Sequence, residues 1–116
     1  MSHITAEDYE LLGFFETEPV MSEKDIPWVY NDSTYKYNDS VSEITFSIHP
    51  SYRDLSFELK QGTSKLLEFS ALGIEDVSVK TDSEGEILEL KISSSQKIEI
   101  RVKPFISIVQ NARENT

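Results

Sequence analysis

Acidic and aromatic side chains crowd the start of this chain, and they are the residues whose types and spacing bear on chemistry. Seven acids lie among the first 25 residues, against one base, Lys24. Two aromatic pairs follow, Trp28 with Tyr30 and Tyr35 with Tyr37. Carboxylates attract basic partners, and Trp and Tyr rings give large contact areas at low entropic cost. The combination predicts a surface that binds a partner, and no reaction centre.

The two aromatic pairs predict a single platform on a hairpin over residues 26–40 that turns near 31–34. Each pair shares one face of an extended segment, so the hairpin would display four rings together. They would contact a protein or stack on sugar rings, or alternatively pack across strands and close the core. Neighbouring acids favour a basic protein over a neutral glycan. The predicted binding residues are Glu23, Asp25, Trp28, Tyr30, Asp32, Tyr35, Tyr37 and Asp39.

The tetrapeptide Tyr-Asn-Asp-Ser occurs twice, at residues 30–33 and 37–40. Paired loops of this kind could bring carboxylate and amide oxygens around a calcium ion, which takes about six to eight oxygen ligands. Asn, Asp and Ser are also the residues that form turns, and calcium loops carry more acids at tighter alternation. We therefore interpret both copies as turns and predict no metal or other cofactor.

No arrangement of catalytic residues stands out along the chain. It contains no Gly-x-Ser-x-Gly elbow and no glycine-rich phosphate loop, and it has no cysteine. Any two carboxylates chosen for acid–base catalysis from its 21 acids would be an arbitrary pair. The sequence predicts a protein that is not an enzyme.

The net charge of −10 is concentrated in the first half of the chain. Residues 1–60 hold 12 acids and 4 bases, a net charge of −8, whereas residues 61–116 carry −2. Such a surface repels phosphate backbones and anionic headgroups, so nucleic acid and membranes are poor partners. A basic protein is the predicted partner. Because the chain shows no basic leader and no long apolar run, we predict a cytoplasmic location.

From Val41 onward, apolar and polar residues alternate with period two, and polar breaks interrupt the alternation at short intervals. This pattern is typical of half-buried antiparallel strands. Turn residues at 82–85 and 93–96 predict hairpins. The predicted fold is mainly β, an antiparallel sandwich or half-open barrel of about seven strands. The inward-facing residues of the first three are Ile44, Phe46 and Ile48, then Leu55, Phe57 and Leu59, then Leu67, Phe69 and Ala71.

The first 25 residues follow a different pattern, which predicts a short N-terminal helix. Thr5 with Asp8 suits a helix cap, and Gly13 suits a helix end. Tyr9, Leu12 and, one step further, Phe15 lie at three-residue spacing on an apolar face. An edge strand that begins at Gly13 is the alternative.

At 116 residues the chain has the length of one ordinary domain. We predict a single domain over 1–116. It divides into an acidic segment at 1–25, the aromatic hairpin at 26–40 and an antiparallel β-meander at 41–109.

Three stretches carry a resemblance to a known class of protein: Leu11–Glu16 (LLGFFE), Ile26–Trp28 (IPW) and Phe69–Val77 (FSALGIEDV). Together with the acidic, cysteine-free composition, they resemble small acidic immunity proteins of bacterial polymorphic toxin systems. The resemblance implies a non-enzymatic module that covers the basic surface of a toxin. Two other classes stay open, a small-ligand or carbohydrate-binding β-domain and a structural subunit that pairs through an edge strand and forms homo-oligomers.

Overall fold

The computed structural model describes residues 4–112, which form two antiparallel sheets and one short α-helix. In that range no helix is long and apolar enough to cross a membrane. Helix α1 spans Asp8–Phe15, and single 3₁₀ turns lie at Trp28–Tyr30 and Pro50–Tyr52. The strands are β1 (Val20–Met21), β2 (Ser33–Asn38), β3 (Glu43–His49), β4 (Asp54–Gln61), β5 (Ser64–Ala71), β6 (Asp76–Asp82), β7 (Gly85–Lys91), β8 (Gln96–Arg101) and β9 (Ser107–Ala112).

Each sheet is a meander in chain order, with β1 to β5 in one sheet and β6 to β9 in the other. Every neighbouring pair is antiparallel; Tyr35 of β2, for example, faces Phe46 of β3. The predicted turns at 82–85 and 93–96 join β6 to β7 and β7 to β8. The prediction of a mainly β antiparallel sandwich is therefore confirmed, with two sheets and no closed barrel. Strands β1 and β2 add to the seven that were predicted.

Alternation along the strands directs the apolar side chains of both sheets into one core. Ile44, Phe46 and Ile48 of β3 are each at most 2% exposed. Leu67 of β5 differs from its prediction, because it is 39% exposed. Strand β5 lies at the edge of its sheet, and the register between β4 and β5 shifts near Leu59. An edge strand has a neighbour on one side only, so its inner face is less fully covered.

Helix α1 confirms the predicted N-terminal helix, although its ends differ from the prediction. The N-cap is Glu7, whose backbone N–H donates to the Glu10 carboxylate at 2.9 Å. Thr5 instead ties the chain to β6, because its backbone N–H and hydroxyl donate to the Asp76 carboxylate at 2.7 and 2.6 Å. The helix also continues through Gly13 for two more residues.

The buried face of α1 agrees with the prediction at Phe15 only, which is 1% exposed. Tyr9 and Leu12 were also expected to face the core, yet they are 70% and 40% exposed. The buried residues are Leu11, Phe14 and Phe15, which lie at the i, i+3, i+4 spacing of a helix stripe. That stripe includes both phenylalanines and removes more apolar surface from water, so it takes the core position.

The predicted aromatic hairpin over 26–40 is wrong. Residues Trp28–Tyr30 form a 3₁₀ turn after Pro27, and β2 pairs with β1 and β3 instead. Two physical reasons account for this. Proline has no N–H to donate to a strand ladder. Burial of the Tyr35 ring, which is 0% exposed, places β2 inside the five-stranded sheet.

Candidate functional site

The exposed loop at residues 22–27 is organised by one buried side chain, Asn31, which is 2% exposed. Its amide oxygen accepts hydrogen bonds from the Ser22 hydroxyl (3.0 Å) and the Glu23 backbone N–H (3.2 Å). Its amide nitrogen donates to the backbone carbonyls of Glu23 (2.5 Å) and Ile26 (2.9 Å). These four bonds fix a loop that presents the exposed carboxylates of Glu23 and Asp25.

Trp28 follows this loop and is held by Tyr35. The indole N–H of Trp28 donates to the Tyr35 hydroxyl at 3.0 Å. The Tyr35 ring is buried and stacks on Phe15 of α1, with ring centroids 5.4 Å apart. Burial raises the pKa of Tyr35 to about 12; the Trp28 hydrogen bond opposes this rise and the nearby Asp8 carboxylate adds to it. Tyr35 therefore stays protonated at neutral pH and anchors Trp28, which remains partly exposed.

A groove of about 330 Å³ lies where α1, β1 and the 3₁₀ turn meet, and we call it the Trp28 groove. Most of its lining is apolar or aromatic, and two carboxylates also line it. Long side chains can lay an apolar stem and a polar head along a surface of this mixed kind. The lining residues that matter below are Asp8, Tyr9, Leu12, Glu18, Met21 and Trp28.

The acids of the first 25 residues and those in the strands differ in how many have a basic partner. Five of the nine strand acids have an ion pair with Lys or Arg, as in the pairs Lys65–Glu58 (3.0 Å) and Lys80–Glu89 (2.9 Å). Five exposed acids of the first 25 residues have no ion pair with any base in residues 4–112. Glu7 is the N-cap of α1, and we call the other four the acidic face: Asp8, Glu18, Glu23 and Asp25.

The second Tyr-Asn-Asp-Ser copy makes a turn. The Asp39 carboxylate accepts hydrogen bonds from the backbone N–H groups of Val41 (2.7 Å), Ser42 (2.6 Å) and Ile106 (3.1 Å). The bonds from Ser42, Val41 and Ile106 hold the pKa of Asp39 below its usual value. Asp39 therefore closes the β2–β3 turn and links it to the segment before β9. Among the described residues, no group of three or more His, Asp or Glu side chains could hold a metal ion.

The structure thus separates the eight predicted binding residues. Trp28 lines the Trp28 groove, and Tyr30, 49% exposed, lies in the same 3₁₀ turn. Glu23 and Asp25 are exposed on the loop that precedes this turn in the chain. Tyr35 is in the core, which agrees for this ring with the alternative of core packing and removes it from the predicted exposed platform. The remaining three are Tyr37, half-buried against the core; Asp39, in its turn; and Asp32, at a separate shallow cavity with His49 and Asp54.

Sequence reasoning missed six groove residues: Asp8, Tyr9, Leu12, Glu18, Pro19 and Met21. The signal for two of them was present, because the stripe of Leu11, Phe14 and Phe15 competes with Tyr9 and Leu12 for the core side of the same helix. Had that stripe been taken as the buried face, Tyr9 and Leu12 would have been expected on the surface.

No protein-family model matches this chain, and no curated protein matches it by sequence. Among solved structures, it is similar to a chain of the contact-dependent growth inhibition toxin–immunity protein complex from Klebsiella pneumoniae 342. The two chains are 26% identical with a TM-score of 0.79, and the match covers 91% of this chain and 93% of that one. The resemblance to immunity proteins of toxin systems is confirmed by this neighbour.

Proposed function

We propose that this chain is an immunity-type inhibitor, a protein that binds a toxin of the contact-dependent growth inhibition kind and blocks it without catalysing a reaction. The observation that carries the proposal is the similarity to a chain of a toxin–immunity complex, which extends over nine-tenths of both chains. A shared fold alone would leave the function open. The specific class of that neighbour, together with a binding surface on this chain, is what favours inhibition.

The acidic face supports the binding role and the basic character of the partner. Its four carboxylates lack cationic partners in residues 4–112, so a basic surface could approach without displacing internal ion pairs. Opposite charges across an interface speed association and select the partner. Part-exposed Trp28 and Tyr30 would supply the aromatic contact area that anchors many protein interfaces. We place the encounter in the cytoplasm.

The test is protection from the toxin. The toxin domain used is that of a protein which the tagged chain captures from a lysate of its own host at low salt. It is expressed from an inducible promoter, alone or together with this chain. Expression alone is expected to arrest growth, and co-expression of the wild-type chain is expected to restore it. Persistent arrest, with soluble folded chain present, would contradict the proposed function.

Charge reversal locates the binding face within the same assay. The double variant Glu23→Lys/Asp25→Lys is expected to lose protection, because it replaces two carboxylates of the acidic face by cations. The matched control is Glu84→Lys/Glu86→Lys, which makes the same charge change at two exposed positions around the β6–β7 turn. Equal protection by both double variants would place the toxin elsewhere on the surface.

A further inference from the structure

The chemistry of the Trp28 groove points to a particular occupant. We propose that the groove receives an arginine side chain of the partner, which serves as an anchor of the complex. The identification of the partner as a toxin rests on the proposed function. The preference of the groove for arginine is argued from its lining residues alone. Three features select the occupant: the apolar lining, the exposed aromatic faces and the two carboxylates.

The lining suits each part of an arginine side chain. Leu12 and Met21 offer apolar surface to the three methylene groups of the stem. The rings of Tyr9 and Trp28 offer faces on which a guanidinium can stack. Tyr9 is 70% exposed, so this contact area is open to an incoming side chain. The indole N–H of Trp28 is already bonded to Tyr35, so Trp28 offers an occupant its ring.

The two carboxylates require a cation. The Asp8 carboxylate accepts a hydrogen bond from the Tyr9 backbone N–H at 2.8 Å, but this bond brings no positive charge. A purely apolar occupant would remove water from Asp8 and Glu18 without supplying a cation, and burying a carboxylate that has no cationic partner is costly. Neither side chain has an ion pair in residues 4–112 that could neutralise it. Arginine suits the groove better than lysine, because its planar guanidinium stacks on rings and binds carboxylates in two-point contact, whereas ammonium is a strongly hydrated point charge.

Trp28 makes the occupant directly observable, because it is the only tryptophan of the chain. Its fluorescence is titrated with N-acetyl-arginine amide, N-acetyl-lysine amide and N-acetyl-citrulline amide at constant ionic strength. Citrulline keeps the planar head of arginine and removes the charge. We expect a saturable change with the arginine probe, a weaker one with lysine and none with citrulline. Identical responses to arginine and citrulline would overturn the proposal.

Charge reversal at the groove gives the second readout, which uses the toxin domain itself. Glu18→Lys is expected to weaken binding of the toxin domain by about thirtyfold or more, the range of an interface hot spot. The matched control Glu86→Lys reverses an exposed carboxylate of β7 that, like Glu18, has no ion pair within residues 4–112, and it is expected to bind as the wild type does. Thermal melts of both variants establish that they are folded. Equal affinity of the two variants for the toxin domain would overturn the proposal, even if the arginine probe alone binds.

These outcomes separate the groove from the proposed function. If wild type and Glu18→Lys protect cells equally and no probe changes Trp28 fluorescence, the groove is not the anchor but the immunity role stands. If the arginine probe binds and Glu18→Lys abolishes that binding, while wild type gives no protection, the groove binds cationic side chains and the immunity role falls.

Discussion

Asn31 and Asn38 occupy the same place in two identical tetrapeptides, yet only Asn31 is buried. Asn31 makes four hydrogen bonds that hold the loop at 22–27, whereas Asn38 lies exposed at the end of β2. A buried amide whose donors and acceptor are all matched stabilises a loop, because leaving its backbone partners unpaired would cost free energy. One side chain therefore shapes the loop that carries part of the acidic face.

Asn31→Ala is expected to lower the free energy of unfolding by about 2 kcal/mol or more, because it leaves two carbonyls and a backbone N–H of the loop without their partner. Asn38→Ala, the same change in the other tetrapeptide, is expected to change it by less than about 0.5 kcal/mol. Urea denaturation of both variants measures the difference. Losses of similar size would contradict the role assigned to Asn31.

Asp39 makes the free energy of unfolding depend on pH, and the direction of its pKa shift determines the sign of that dependence. The hydrogen bonds from Ser42, Val41 and Ile106 lower the pKa of Asp39 in the folded protein relative to the unfolded chain. The stability that results is present above the unfolded pKa, about 3.9, and is lost as the pH falls through the lower folded pKa.

The variant Asp39→Asn is therefore expected to be less stable than wild type at pH 7 and closer to it at pH 3. An amide can accept through only one of its two terminal atoms, so at least one of the three backbone bonds is lost. Denaturation curves at both pH values measure this. The control is Asp32→Asn, whose exposed carboxylate makes none of these bonds. A stability difference for Asp39→Asn that does not shrink at low pH would contradict the prediction.

At the scale of elements, helix α1 forms one wall of the Trp28 groove. The ring of Phe15 stacks on Tyr35 and Phe46, at centroid distances of 5.4 and 5.5 Å, which packs the helix onto the five-stranded sheet. The side turned away from this contact carries the exposed residues Tyr9 and Leu12. An ion pair between Lys103 and Glu16 joins the end of the helix to the chain after β8.

Gly13 offers a way to strengthen this element. It lies inside α1, its φ is not in the left-handed region, and a Cβ added there meets no atom within 4 Å. Gly13→Ala is expected to raise the free energy of unfolding by about 0.5–1 kcal/mol, because alanine restricts the unfolded chain and favours helix. Gly62→Ala is the control, since Gly62 has a φ of +63° and equal space. It is expected to destabilise by about 1 kcal/mol.

Thermal melts of the two glycine variants test the prediction, because the substitutions are chemically identical and differ only in backbone conformation. A lower melting temperature for Gly13→Ala would mean that α1 needs the freedom of glycine. A higher melting temperature with unchanged toxin binding would mean that the helix wall is already in its binding conformation.

At the scale of the whole molecule, the position of the carboxylates that lack ion pairs determines which surface attracts a basic partner. Five of the nine acids in the strands have an ion pair with Lys or Arg, as in Lys80–Glu89 and Arg101–Asp82. The four carboxylates of the acidic face have none within residues 4–112, and they lie in the half of the chain whose net charge is −8. Their field extends over the acidic face and is not cancelled locally, so it acts on an approaching basic surface.

Binding of the toxin domain is accordingly expected to weaken as salt rises. Screening of the acidic face should lower the association rate by about tenfold or more between roughly 50 and 500 mM NaCl, with a smaller change in the dissociation rate. Surface plasmon resonance at several salt concentrations separates the two rates. An association rate that does not depend on salt would mean that apolar contact dominates the encounter.

Much of the fold could be predicted because its signals are local. The alternation of Ile44, Phe46 and Ile48 indicates a strand whichever sheet it joins, and the turn residues at 82–85 indicate a hairpin without knowledge of its neighbours. The candidate site was predicted less well. Trp28, Glu23 and Asp25 were found from composition, but the Trp28 groove depends on which side of α1 faces the core, and that is set by contacts distant in sequence.

The sequence by itself determined the strand pattern, the turns and the concentration of negative charge in the first half, because each of these is a property of neighbouring residues. Only the tertiary structure decided which of the two equivalent asparagines is buried, that Tyr35 is in the core while Trp28 stays at the surface, and that Tyr9 faces solvent. Asn31 is buried with four hydrogen bonds to the loop at 22–27, whereas the choices at Tyr35 and Tyr9 depend on competition for a single core. The side chains that remove the most apolar surface from water take the interior, and the rest become the surface available to a partner.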